Sequence, residues 1–132
     1  MRNASSEQKI YKVLFVDDHK PFLEMYSLKF SESGFETAVC QDSSKVLELA
    51  RQTRPDIIFL DLVMGKHDGI EVLKQLKSTL ETKWIPVVMF SNIDNAADRD
   101  LCIKNGASYY LVKIRFTPTE LAEYARKVLT LM

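Results

Sequence analysis

Cysteine is scarce in this sequence. The 132 residues hold two, Cys40 and Cys102, far apart and without histidine companions, so there is neither a disulfide framework nor a metal knuckle to staple a fold. Both read as small, partly buried residues. No sign of charge prevails, since eighteen Lys plus Arg balance eighteen Asp plus Glu. With no basic stripe interleaved with aromatics, a nucleic-acid partner is not expected. Long apolar runs are missing as well. The longest are strand-sized, against the roughly 20 residues that cross a bilayer, and the polar start from Met1 to Lys9 lacks the apolar core of a signal peptide. No membrane contact is expected, and the default location is cytoplasmic. Internal repeats and low-complexity segments are absent, so nothing divides the chain. What remains is 46% hydrophobic and 27% charged residues, the balance of one soluble domain able to bury a core.

Apolar runs that stop on polar residues carry the pattern. Ile57 to Leu60 is apolar throughout and ends on Asp61. Four apolar residues in succession, rather than alternation, mark a strand covered on both faces. Val13 to Val16 repeats the pattern and ends on Asp17 and Asp18. Pro86 to Phe90 ends on Ser91, and Ser108 to Val112 ends on Lys113. A shorter strand spans Phe35 to Cys40. Between these runs lie helical stripes. Pro21 suits a first helical turn, and Phe22, Met25, Tyr26 and Phe30 follow at helical spacing up to Gly34. Asp42, Ser43 and Ser44 are all able to cap a helix carrying Val46, Leu47 and Ala50. Ile70, Leu73, Leu76 and Leu80 form a third stripe after a loop with two glycines, with Asp68 as its cap. Residues 94–105 carry only a thin stripe of Ala97, Leu101 and Cys102, which predicts a mobile helix. Thr117-Pro118-Thr119-Glu120 is a capping box with proline at the first helical position. Five strand-plus-helix units in strict alternation specify a doubly wound α/β fold, a five-stranded parallel sheet with helices on both faces. Residues 1–10 read as a flexible tail and residues 11–132 as the domain.

A parallel sheet gathers the C-terminal ends of its strands on one edge, where ligands of open α/β sheets bind. Asp17, Asp18, Asp61, Ser91 and Lys113 therefore share one pocket. Crowded carboxylates either hold a proton or hold a cation, and an all-oxygen donor set without His or Cys favours Mg²⁺. Lys113 and Ser91 supply a charge and a hydroxyl for phosphoryl oxygens. Alone, Asp17 and Asp18 would read as an ordinary turn and Ser91 as a loop hydroxyl; their common edge is what favours chemistry.

This order of residues resembles the receiver domain of two-component response regulators, over Lys12 to Met132. The stretch Asp61-Leu-Val-Met-Gly-Lys-His-Asp-Gly69, the Asn-Gly-Ala at 105–107 and Tyr110-Leu-Val-Lys113 carry the likeness. The resemblance implies a flavodoxin-like (βα)5 fold with strand order 2-1-3-4-5. It implies that Asp61 accepts a phosphoryl group from a histidine kinase or a histidine phosphotransfer protein. Asp17, Asp18, Asp61 and the main-chain carbonyl of Val63 would hold Mg²⁺, Ser91 and Lys113 would bind phosphoryl oxygens, and Tyr110 would be the switch aromatic. A downstream protein would read the face made by the fourth helix, fifth strand and fifth helix, which also offers a weak dimer contact to an otherwise monomeric protein. Read from the residues alone, Tyr110 is equally a packing residue.

The chain departs from the family at two positions. Gly65 stands where proline is usual, which loosens the loop beside Asp61. Ile114 follows the lysine where the family has a proline, typically after a cis bond. A cis bond before isoleucine costs about 2.5–4 kcal/mol, so either that bond persists under strain or the following loop is rerouted. These departures keep a runner-up in play, a degenerate receiver that binds proteins without phosphorylation. An aspartyl-phosphate phosphatase needs a second Asp two residues after the nucleophile, where Val63 stands, so no enzyme acting on a separate substrate is expected. A flavodoxin-like electron carrier is set aside because no Gly-rich phosphate loop follows the first strand. Whether the receiver stands alone or belongs to a longer protein is left open.

Overall fold

The computed structural model describes residues 9–64 and 67–131. Gly65, and with it the loosening expected there, lies outside the described residues, as do residues 1–8 of the expected tail. The elements run β1 (Lys12–Val16), α1 (Lys20–Glu32), β2 (Glu36–Cys40), a 3₁₀ turn (Ser43–Lys45), α2 (Val46–Thr53) and β3 (Ile57–Leu60). They continue with a short ribbon of β4 (Val63–Met64) and β5 (His67–Asp68), then α3 (Gly69–Ser78), β6 (Val87–Ser91), α4 (Ala96–Lys104), β7 (Tyr109–Val112), a second 3₁₀ turn (Lys113–Arg115) and α5 (Pro118–Thr130). The five-stranded sheet has the order β2-β1-β3-β6-β7, and each neighbouring pair is parallel. With the antiparallel ribbon counted apart, this is the expected 2-1-3-4-5.

Alternate residues of each central strand feed two cores, because successive side chains point to opposite faces. Val13, Phe15, Ile57, Phe59, Val88 and Phe90 pack beneath α1 and α5. Leu14, Val16, Ile58, Leu60, Val87 and Met89 pack beneath α2, α3 and α4. The first core is aromatic: Phe15 stacks on Phe59 at 5.4 Å and meets Phe30 edge to face at 4.8 Å. The caps follow the sequence. Asp42 accepts from the Ser44 N–H, Asp68 from the Ile70 N–H, and Thr117 and Glu120 form the full capping box. Gly34, at φ +94°, follows the end of α1 in a conformation that side chains avoid.

Sequence expectations change at several places. Met25 does not face the core: it is 43% exposed, and Leu23 is buried with Tyr26 and Phe30 on that helix instead. Leu80 does not join the α3 stripe: the helix ends at Ser78 and Leu80 is 71% exposed, because Thr79 turns the backbone to extended angles. Val63–Met64 and His67–Asp68, expected as plain loop, pair as the β4–β5 ribbon. The stripe of α4 is thinner than expected, with Leu101 45% exposed and Cys102 its buried anchor.

Gly69 opens α3 directly against the central strand. Its N–H donates to the Leu62 carbonyl at 2.7 Å, and a Cβ there would lie 2.3 Å from the Asp61 carbonyl oxygen and 2.8 Å from the Leu62 Cα. Both neighbours are backbone, so relief requires moving the end of β3. Gly69→Ala is expected to destabilise the fold by about 2–3 kcal/mol, measured as a lowered urea midpoint; an unchanged midpoint would show that the β3 end yields freely.

Candidate functional site

The sheet register sets the site. Val16 pairs with Leu60, so the next residues, Asp17 and Asp61, leave adjacent strands side by side. Backbone bonds hold both: the Asp17 N–H donates to the Cys40 carbonyl at 3.1 Å and the Asp61 N–H to the Val16 carbonyl at 3.0 Å. An oxygen of each of Asp17, Asp18 and Asp61 lies within 4.8 Å of the other two. Asp17 and Asp61 are buried and Asp18 is exposed, so the cluster opens to solvent on the Asp18 side.

Lys113 enters from the end of β7. Its ammonium donates to Asp17 Oδ2 at 2.5 Å and lies 3.4 Å from Asp61 Oδ2, with the side chain 8% exposed. The ring of Phe22, from the first turn of α1, lies under the same ammonium at 5.0 Å, within cation–π range. The two acids are engaged unequally. Asp17 Oδ1 also accepts the His19 N–H at 2.9 Å, so both of its oxygens are bound closely. Asp61 has a 3.5 Å approach from the Val63 N–H and the 3.4 Å approach from Lys113, both long. Asp61 is thus the less satisfied carboxylate. Burial is the largest influence on it and holds its carboxyl above the ordinary carboxylate range. The Asp17 charge adds to that rise, and the Lys113 ammonium opposes it.

Ser91 ends β6 and is buried; its Oγ accepts the Ile93 N–H at 3.2 Å. Tyr110, opposite Met89 on β7, is partly buried and donates its hydroxyl to the Ile93 carbonyl at 2.6 Å. Burial raises its phenol pKa, opposed chiefly by the Ser91 hydroxyl beside it. Val63 stands in β4, two residues beyond Asp61, and is 50% exposed. Together with Ile93, Leu62, Asp68, Ile70, Asp98 and Leu101 it lines a groove of about 320 Å³ between the ribbon and α4. Asp68 in that groove caps α3, and Asp98 accepts from the Asn95 side chain at 2.7 Å.

The Lys113–Ile114 bond is trans, as are all peptide bonds among the described residues. The loop is rerouted: Lys113 to Arg115 form a 3₁₀ turn. Sequence reasoning missed four residues near the site. Gly69 had a signal, the Asp-Gly pair ahead of a helical stripe. Phe22 fits the core stripe of the first helix, and its place under Lys113 depends on a contact 91 residues away in sequence. Asn92 and Asp94 carried no signal, because their partners, Ile114 and Arg115, lie on another loop.

The raised Asp61 pKa has a consequence for stability. Folded protein binds this proton more tightly than unfolded protein, so the contribution favours folding below the unfolded value and is lost as pH rises through the folded one. Asp61→Asn keeps the shape without the charge. In chelated buffer at pH 7 it is expected to melt about 3–6 °C above wild type, with the gap closing as pH falls below the carboxylate range. Calorimetry across pH checks this, and a gap that widens on acidification would contradict it.

A family model described as the response regulator receiver domain matches residues 13–126. The chain is 34% identical over 115 residues to the DNA-binding response regulator MtrA of Mycolicibacterium smegmatis, covering 87% of this chain and 49% of that protein. It is 31% identical over 118 residues to the alkaline phosphatase synthesis transcriptional regulatory protein PhoP of Bacillus subtilis, covering 89% and 48%. The chain thus spans about half the length of these curated relatives. Among solved structures, the chemotaxis protein CheY4 of Vibrio cholerae superposes with a TM-score of 0.83 at 28% identity, over 91% of this chain and 99% of that one. A model match over most of the sequence, curated relatives above 30% identity and the shared sheet all lead to one assignment: this chain belongs to the family of response regulator receiver domains.

Proposed function

We propose that Asp61 is the phosphoacceptor of a signalling switch, receiving a phosphoryl group from the phosphohistidine of a histidine kinase or a histidine phosphotransfer protein. The observation that carries this reading is the unequal engagement of the two buried acids: Asp17 is tightly held, whereas Asp61 has only contacts of 3.4 and 3.5 Å. An oxygen of Asp61 forms the new P–O bond as the P–N bond to the donor imidazole breaks, and the imidazole leaves with the electron pair. Lys113, already between Asp17 and Asp61, balances charge on the phosphoryl oxygens, and Ser91 offers them its hydroxyl. Residues 11–132 form the receiver unit in this reading.

Three carboxylates meeting within 4.8 Å, all oxygen donors and open on one side, fit a hard divalent cation. Asp17, Asp18 and Asp61, with the Val63 main-chain carbonyl, would hold Mg²⁺. When bound, the ion supplies positive charge against the incoming phosphoryl group. The alternative of a phosphorylation-independent binding module rested partly on Ile114. Lys113 lies 3.4 Å from Asp61 with that isoleucine in place, which supports the phosphoacceptor reading.

Tyr110 would report the state of Ser91 to α4 through the Ile93 carbonyl that its hydroxyl holds. The partner surface would be the α4–β7–α5 face, where Leu101, Ile103 and Tyr109 are exposed. A downstream protein, or weakly a second copy, would dock there. Nucleic acid is not a partner of this unit in the proposal, and no described helix is long and apolar enough to cross a membrane.

Incubation with a small acyl phosphate and Mg²⁺ is expected to add the mass of one phosphoryl group to wild type and none to Asp61→Asn. Millimolar Mg²⁺ is expected to raise the wild-type melting temperature through preferential binding to the folded state, and Asp18→Ala to abolish that rise. Phosphorylation that persists in Asp61→Asn would move the acceptor elsewhere. Lifetime follows from two positions: Val63, two residues past Asp61, and Ile93, two past Ser91, carry apolar, β-branched side chains with no group to orient an attacking water. Wild type is expected to lose phosphate more slowly than Val63→Asn or Ile93→Glu, by about tenfold; equal loss rates would show that these side chains do not control the water.

A further inference from the structure

The register that sets Ser91 against Val112 places the next residues of the two strands, Asn92 and Lys113, side by side. Just beyond them, the Asn92 side-chain carbonyl oxygen accepts the Ile114 N–H at 3.0 Å. A second strut joins the same segments: the two oxygens of Asp94 take Arg99 of α4 and Arg115 of the 3₁₀ turn, each at 2.8 Å. The Ile114 side chain is 82% exposed, so the residue is not there to fill a core. What it contributes is a main-chain donor, which proline at this position would lack. We propose that Asn92 is a positioning residue for Lys113: it clamps the backbone after the lysine to the loop after Ser91, and so keeps the two phosphoryl-binding groups in fixed relation. Lys113 reaches Asp17 and Asp61 along a flexible four-carbon stem. Its aim depends on where its Cα is held, and the trans 3₁₀ turn is held from outside by Asn92. Both holds lie at the surface, but the Asp94 bridge ends on arginine side chains that are 41% and 64% exposed, and exposed ion pairs contribute little, whereas Asn92 bonds the main chain of the turn itself.

The inference rests on Asp61 being the phosphoacceptor, and two readouts separate the two ideas. Amide exchange in the unphosphorylated protein is expected to show Ile114 exchanging at least tenfold faster in Asn92→Ala than in wild type. Asn92→Asp keeps an oxygen acceptor in place and is expected to retain the protection. Phosphorylation of the full chain by acetyl phosphate with Mg²⁺ is expected to slow three- to tenfold in Asn92→Ala and in Ile114→Pro. The double variant is expected to be no slower than the slower single, since both changes remove one bond. Asn92→Asp is expected to stay within twofold of wild type at about 0.5 M salt, which screens the added charge. Unchanged Ile114 exchange in Asn92→Ala overturns the clamp, and so do single-variant effects that multiply in the double or an Asn92→Asp as slow as Asn92→Ala. Wild type that takes no phosphoryl group defeats the phosphoacceptor reading and the positioning role with it. Wild type and Asn92→Ala phosphorylated at equal rates defeat the positioning role alone.

Discussion

A single buried cation among three acids is the constraint on which this site depends. Lys113 is 8% exposed and shares its ammonium between Asp17 and Asp61. Buried charges persist only when paired with good geometry, so the lysine and Asp17 secure each other, with the Phe22 ring adding to the hold. One ammonium cannot neutralise three carboxylates. The residue of negative charge falls on the acid with the longest contacts, and burial then works against its ionised form. The close contacts thus go to Asp17, and Asp61 is left the less satisfied of the two buried acids.

The rest of the molecule serves to bring these groups together. β1 and β3 are apolar on both faces, which fixes them in the middle of the sheet, and their paired register puts Asp17 beside Asp61 without any long loop. The aromatic core under α1 and α5 makes one face stiff, through the close ring packing of Phe15, Phe30 and Phe59. The opposite face is uneven. α3 buries Ile70, Val72, Leu73 and Leu76, whereas α4 is anchored by Cys102. Of the helices on that face α4 has the least buried surface holding it, the condition under which a local unit opens most readily.

Much of this was legible in the sequence because it depends on local patterns. Apolar runs ending on Asp61, on Asp17 and on Lys113 define both the strands and the edge where they meet, and the cap at Thr117 and the poverty of the α4 stripe were readable as spacing. What escaped depends on pairings between loops or on backbone angles. Nothing near Leu80 announces that Thr79 turns out of the helix. The two-residue strands β4 and β5 are too short for any periodicity, and Asn92 acquires its partner only when β6 and β7 align. The bond after Lys113 is a similar case: the sequence posed the choice between a cis bond and a rerouted loop, and the 3₁₀ turn with its Asn92 contact is the physical answer.

The anchor of α4 has a consequence for thiol chemistry. Cys102 has no exposed surface and burial pushes its thiol up to about 11, so while the helix lies against the sheet it offers an alkylating reagent almost no thiolate. Lifting the helix exposes the sulfur and restores its ordinary acidity. Cys40, at the end of β2, is buried too, but it belongs to a strand hydrogen-bonded into the sheet. The rate at which Cys102 is labelled, with Cys40 as an internal standard, is therefore a measure of how often α4 leaves its seat.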